Sequence, residues 1–291
     1  MSGASGMNPA ALLTPGVLTM PAASLAETVT IEGHEVWYRV QGQLSPDRIP
    51  ILLLHGGAMH LDSTFGQMLP ALAADHVVIG VEQQGHGHTP INDQPITLAT
   101  MRADTLGVLD ALGVQRAHVV GFSAGGMLGL ELAVNAPRRV ASLTAISASQ
   151  NLGGFLPEFA RMNRDPSFQL SPPMAALMPS TQEFAQMRQD VADLNPGGVA
   201  AADQMFAKMS AFIGGDWGWR DDQLAAIAAP VLIVQGDTDF IRRDHALHLA
   251  ATIPGSWLAI LPDTTHNRIM QHPALPGMIL HRIATTSPEA P

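Results

Sequence analysis

The stretch VVGFSAGG, Val119–Gly126, passes from β-branched apolar residues straight into Gly121-x-Ser123-x-Gly125 and a further glycine. A helix-forming segment, residues 124–136, follows and is broken by Pro137. A serine at the junction of a buried strand and a helix sits on a tight, strained turn. Side chains at positions 121 and 125 would collide with neighbouring backbone there, which is why both are glycine. A serine hydroxyl is a weak nucleophile near neutral pH. It needs a base, a group that orients the base, and donors for the oxyanion that forms. Those partners must come from elsewhere in the chain.

The flanking sequence predicts parallel βα units. "IPILLLHGG" (49–57), "HVVIGVEQQG" (76–85), "AHVVGFS" (117–123), "VASLTAISAS" (140–149), "APVLIVQGDTD" (229–239) and "SWLAILPDTTH" (256–266) are apolar runs ended by turn residues. Such runs suit strands buried on both faces. Helical spacing appears around 64–74, over 98–112 with Gly113 as a C-cap, and at about 244–252. Residues 28–41 read as two short strands around Glu32-Gly33. Buried strands alternating with helices predict an α/β fold with a mostly parallel central sheet flanked by helices. In such sheets chemistry gathers at the carboxyl ends of the strands. The residues just past those ends are His55-Gly56-Gly57, Gln83 to His88, Ser123, Asp237 with Asp239, and His266.

The partners of a strand-to-helix serine are expected in the order Ser, acid, His. His266 alone of the five histidines beyond Asp239 directly follows a strand, and it is the expected base. His245 and His248 fall on a helix, and His272 and His281 in the C-terminal helical region. Asp239 is the expected acid, because Gly236-x-x-Asp239 carries the carboxylate into the loop, with Asp237 the alternative. The oxyanion donors are expected to be the Ala124 N–H at a helix N-terminus and the Gly57 N–H, with Ala58 the alternative. His55 is read as bracing that loop by hydrogen bonds. The His86-x-His88 pair has no third ligand in view, so no metal is expected, and no cofactor either.

Residues 150–220 break the βα rhythm with six prolines and six methionines. Ser180 and Glu183 form a capping box for a helix to about Leu194. A second helix, about 198–213, puts Met205, Met209 and Phe212 on one face. The expected organisation is a core of residues 27–149 and 221–291, a helical cap over the strand ends at 150–220, and a flexible arm at 1–26. Phe155, Met174, Met178, Met205 and Phe212, with Ala58, are the expected lining of an apolar substrate pocket.

The formal net charge of −10 and only 15 scattered Lys and Arg exclude a general nucleic-acid or anionic-membrane binder. No apolar run approaches the roughly 20 residues of a membrane span. With no cysteine there is no disulfide framework or thiolate site. The N-terminal apolar stretch ends in Ser24-Leu25-Ala26, a small-residue cleavage pattern, but no Lys or Arg precedes Arg39. A cytoplasmic protein is expected, with export of a signal-bearing chain the alternative.

These pieces together resemble the α/β-hydrolase superfamily, in its capped serine-esterase branch, over about residues 28–285. "HGG" (55–57) is similar to its oxyanion loop, "EQQGHGHT" (82–89) to its Asp-x-x-Gly-x-Gly-x-Ser/Thr loop, and "GFSAGG" (121–126) to its elbow. "GDTD" (236–239) is similar to its acid turn and "TTH" to its histidine loop. Glu82 stands where the family usually has Asp, and Thr265 where Gly often precedes the histidine. The resemblance implies a hydrolase of a small acyl compound, a carboxylic ester or lactone, through an acyl-enzyme on Ser123. C–C bond hydrolysis, perhydrolysis or acyl transfer on the same three residues is the alternative, and a non-catalytic ligand-binding protein a more distant one.

Overall fold

The computed structural model describes residues 25–165 and 167–286. One sheet contains β1 (Leu25–Ile31), β2 (His34–Gln41), β3 (Ile51–Leu54), β4 (Val78–Val81), β5 (Ala117–Phe122), β6 (Val140–Ile146), β7 (Val231–Gly236) and β8 (Trp257–Leu261). Their order is β1-β2-β4-β3-β5-β6-β7-β8. β1 pairs antiparallel with β2, and β2 with β4; every later pair is parallel. The fold is thus the α/β-hydrolase arrangement expected, and β5, which delivers Ser123, lies inside the sheet.

Alternation along the strands divides the core into two layers. Leu52 and Leu54 of β3 face one layer, with α3 (Leu98–Ala111) and α4 (Ala124–Asn135). Ile51 and Leu53 face the other, with α1 (Leu61–Phe65), α2 (Leu69–Ala73) and α11 (Leu275–Ala284). Between β6 and β7 run α5 (Pro157–Arg164), α6 (Pro172–Ala175), α7 (Thr181–Leu194), α8 (Gly198–Gly214) and α9 (Asp221–Ala225), with α10 (Arg243–Thr252) before β8. Ser180 caps α7 by accepting the Glu183 N–H at 3.2 Å, while the Glu183 carboxylate accepts the Ser180 N–H at 2.8 Å.

Two local expectations differ from the structure. The helix expected over 64–74 is two short helices, because the Pro70 ring opposes a continuous helix through the preceding turn. Leu25 and Ala26, expected in the arm, belong to β1, where they pair with Val40 and Arg39. The antiparallel ladder with β2 recruits them. The rest of the arm, including the apolar stretch for which a signal remnant is the alternative reading, lies outside the described residues. Among the described residues, no helix is long and apolar enough to cross a membrane.

Candidate active site

The turn after β5 is strained in the expected way. Ser123 has φ 52° and ψ −116°, a positive φ that a non-glycine residue adopts at a cost. Its N–H donates to the Ile146 carbonyl at 2.8 Å, tying the turn to β6. A Cβ on Gly121 would lie 2.5 Å from the Gly125 carbonyl carbon and 2.8 Å from the Gly126 nitrogen. A Cβ on Gly125 would lie 2.5 Å from the Leu54 carbonyl carbon and 2.6 Å from the His55 oxygen. The obstacles are backbone atoms, which cannot swing aside as a side chain can.

Ser123, His266 and Asp239 form a continuous hydrogen-bonded relay. Ser123 Oγ lies 3.0 Å from His266 Nε2, and His266 Nδ1 lies 2.9 Å from Asp239 Oδ1. The same Asp239 oxygen accepts the Ile241 N–H at 2.9 Å. Its other oxygen accepts the Ser147 hydroxyl at 2.7 Å. Asp239 is buried, so these donors replace the water its carboxylate lacks. Phe240 stacks on the His266 ring at 3.9 Å between centroids, and Phe122 lies at 5.0 Å. Asp237 is used elsewhere: its two oxygens accept the N–H groups of Asp263 and Thr264, each at 3.0 Å. Those bonds hold its carboxyl below the usual range and join the loops after β7 and β8. Ser147 and Phe240 are absent from the residues expected at the site. Ser147 is the first residue past β6, so the strand-end rule could have found it.

The loops after β3 and β4 are cross-braced by histidines. His55 Nδ1–H donates to the Gly56 carbonyl at 2.8 Å, and its Nε2 accepts the Gln83 N–H at 3.0 Å. His86 Nδ1–H donates to the Gln84 carbonyl at 2.9 Å, and its Nε2 accepts the Ala58 N–H at 3.1 Å. Burial, reinforced by His55, holds His86 down to about 3, and burial also lowers His55. Both rings are therefore neutral, as an accepting Nε2 requires. Among the described residues no acceptor takes the Gly57 N–H. Ala124 opens α4, where an N–H has no intrahelical acceptor. A Cβ on Gly57 would stand 3.8 Å from the Ala124 Cβ, so the two residues are neighbours.

Glu82 and His88 brace the same region. Burial pushes the Glu82 carboxyl up, but donors outweigh it and leave it lowered. Those donors are the His88 ring and backbone N–H, at 2.9 and 2.7 Å, and the Leu61 N–H at 3.1 Å. The Glu82 bond in turn raises His88. Among the described residues, no group of three or more His, Asp or Glu side chains is placed to hold a metal.

Residues 150–220 touch these loops. Asn195 donates to the Thr89 and Gly87 carbonyls at 2.8 and 3.2 Å. Lys208 Nζ binds Gln84 Oε1 at 3.0 Å and the Gln94 carbonyl at 2.7 Å. The segment's two ends are joined: Gln150 Nε2 donates to the Trp219 carbonyl at 2.7 Å, and the buried His245 ring accepts the Gln150 N–H at 2.8 Å. The residues expected to line an apolar pocket are placed as follows. Phe155, Met174, Met205 and Phe212 are buried in the core, and Met178 is half-buried against it. Phe155 stacks on Phe159 at 4.9 Å, and Phe212 borders a separate cavity of about 260 Å³ with Leu98, Lys208 and Trp217. Of the six expected lining residues, only Ala58 borders the cavity of about 270 Å³ between the loop after β3 and α7. Phe122, Met59, Pro179, Met187 and Asn267 are among its other walls.

Fold and site geometry define a class, and the chain belongs to the alpha/beta hydrolase fold family, whose model matches residues 49–273. The chain is 28% identical over 278 residues to the rhodomycin D methylesterase DnrP of Streptomyces peucetius, covering 82% of this chain and 92% of that one. It is 36% identical over 122 residues to RutD of Azorhizobium caulinodans, named as a carbamate hydrolase. That match covers 42% of this chain and only 44% of RutD. A solved hydrolase from Pseudomonas aeruginosa PA01 superposes with a TM-score of 0.67 at 25% identity, over 91% of this chain and all of that one.

Proposed function

We propose that the protein hydrolyses a carboxylic ester or lactone through an acyl-enzyme on Ser123. The observation that carries this reading is the unbroken relay from Ser123 Oγ to His266 to Asp239, at 3.0 and 2.9 Å, on a strained turn. Ser123 Oγ attacks the acyl carbon while His266 Nε2 takes its proton. Asp239 keeps the Nδ1–H tautomer facing it and stabilises the imidazolium that forms. The oxyanion is received by the N–H groups of Gly57 and Ala124. As the tetrahedral intermediate collapses, His266 returns the proton to the leaving oxygen. Water, activated by the same ring, then attacks the acyl-enzyme, releasing the acid and restoring the Ser123 hydroxyl.

Residues 150–220 act as the cap, held on the strand-end loops by Asn195 and Lys208. The cavity beside Ala58 and Phe122 receives the substrate. Its size suits a group of modest bulk, and its mixed walls suit an apolar group with a polar end. The methylesterase relative, matched over most of its length, favours ester cleavage.

The test is fluorophosphonate labelling of folded protein, with a panel of p-nitrophenyl esters of rising chain length and simple lactones. Labelling at Ser123, lost in Ser123→Ala, with turnover on at least one ester or lactone, is expected. An unlabelled Ser123 refutes the catalytic reading. Labelling with no turnover across the panel refutes the ester and lactone assignment.

A further inference from the structure

We infer that His86 is a positioning residue for oxyanion stabilisation: it engages the Ala58 N–H and thereby leaves the Gly57 N–H to receive the oxyanion. This rests on the reading of Ser123 as an acyl-transfer nucleophile. The loop after β3 offers two successive N–H groups, and its local sequence does not choose between them. The Ala58 N–H donating to His86 Nε2, at 3.1 Å, makes the choice. Ala58 also has φ 58°, a left-handed conformation that a non-glycine residue adopts at a cost. A backbone conformation of that kind persists only where its surroundings hold it.

The His86 ring is built to hold it. It is buried, and its Nδ1–H is committed to the Gln84 carbonyl at 2.9 Å, which leaves the lone pair on Nε2 aimed at Ala58. It lies against the His55 ring with centroids 4.9 Å apart. His55 makes the mirror arrangement, since it comes from the loop after β3 and accepts from Gln83 in the loop after β4. Each loop thus lends a histidine acceptor to the other. Neither His86 nitrogen is free to exchange a proton with substrate, so its role is to place backbone rather than to transfer protons. Removing the Nε2 acceptor leaves the Ala58 N–H unpaired, lets the left-handed turn relax, and moves the Gly57 N–H with it.

Two substitutions separate this role from plain packing. Gln can present its side-chain oxygen near the Nε2 position, whereas Asn reaches only the Nδ1 position. With an ester turned over by the wild type, His86→Asn is expected to lower kcat about 100-fold, the scale of one lost oxyanion donor. KM should change by less than about threefold, because the ground-state ester makes little use of that donor. Affinity for a boronic acid, which forms a tetrahedral adduct on the serine, should fall in parallel with kcat/KM. His86→Gln should recover at least about tenfold of the lost kcat. Equal losses in both variants, tracking a shared fall in Tm, overturn the inference, as does wild-type kcat in His86→Asn. Long-range ¹H–¹⁵N spectra of the wild type test the same geometry without turnover. A neutral His86 protonated on Nδ1 is expected, and an imidazolium or the opposite tautomer at neutral pH overturns the inference. A wild type that turns over no ester but shows that tautomer refutes the hydrolytic reading and the catalytic role of His86 with it, and leaves the loop brace standing.

Discussion

Gly125→Ala adds one methyl group at the tightest point of the turn after β5. That carbon would stand 2.5 Å from the Leu54 carbonyl carbon and 2.6 Å from the His55 oxygen. Ordinary carbon contacts begin near 3.5 Å, so α4 must retreat from β3 by about an ångström. Overpacking of this kind costs about 3 kcal/mol, the upper end of its usual range, because backbone rather than a side chain must yield. For a chain of this size that is a fall in Tm of roughly 6–12 °C. The retreat also carries Ser123 Oγ away from His266 Nε2, now 3.0 Å distant, and displaces the Ala124 N–H. A misplacement of about 1 Å in a reacting group lowers turnover on the order of 100-fold. The assay is thermal unfolding beside kcat/KM on a p-nitrophenyl ester. Gly277→Ala, in α11 with open space around its Cβ position, is the matched control. It should gain roughly 0.5–1 kcal/mol, since alanine is the better helix former. A Gly125→Ala protein with wild-type Tm and turnover would refute the steric account of the elbow.

Ser123→Ala should lower ester turnover by at least about 10³-fold with Tm close to wild type, checked by kinetics and calorimetry. Asp239→Asn should lower kcat by about 10⁴-fold, because the amide no longer selects the His266 tautomer that accepts from serine; slow fluorophosphonate labelling should persist. Acid stability follows from buried neutral histidines: burial holds His118 and His245 down to about 4 from 6.5. Above pH 6.5 both states are neutral. As pH falls from 6.5 toward 4 the unfolded chain takes up protons that the folded one refuses, so stability falls across that window. Each such shift is worth on the order of 3 kcal/mol. In His245→Gln, whose amide oxygen can still accept the Gln150 N–H, urea unfolding should show a shallower pH dependence; an unchanged slope would exclude His245 as a contributor.

Much of the site is legible in residue order. Asp239 over Asp237 follows from how far each lies past the end of β7, and the structure places Asp239 on His266 and Asp237 in a backbone turn. His55 as a loop brace is legible because it directly follows a strand whose neighbours carry glycines. Ser147 is less so: its partnership with Asp239 spans 92 positions and depends on β6 and β7 being adjacent. The lining of the cavities is the least legible. An apolar residue in residues 150–220 can line a cavity or fill one, and periodicity is the same for both. Phe155 and Met205 pack in the core, while Met59 and Met187 line one cavity and Phe212 borders another.

What the sequence determined by itself is the local geometry of VVGFSAGG. Glycines at 121 and 125 and a serine between a strand and a helix specify one turn, because steric exclusion acts between atoms a few bonds apart or on the adjoining strand. The tertiary structure alone decided between Gly57 and Ala58 as the free N–H. That choice is made by the His86 ring, 28 positions along the chain, and exists only once β3 and β4 lie side by side. Hydrogen-bond partners are selected by distance in space. Two loops that share no local pattern acquire a common pair of histidines only when the sheet brings them together.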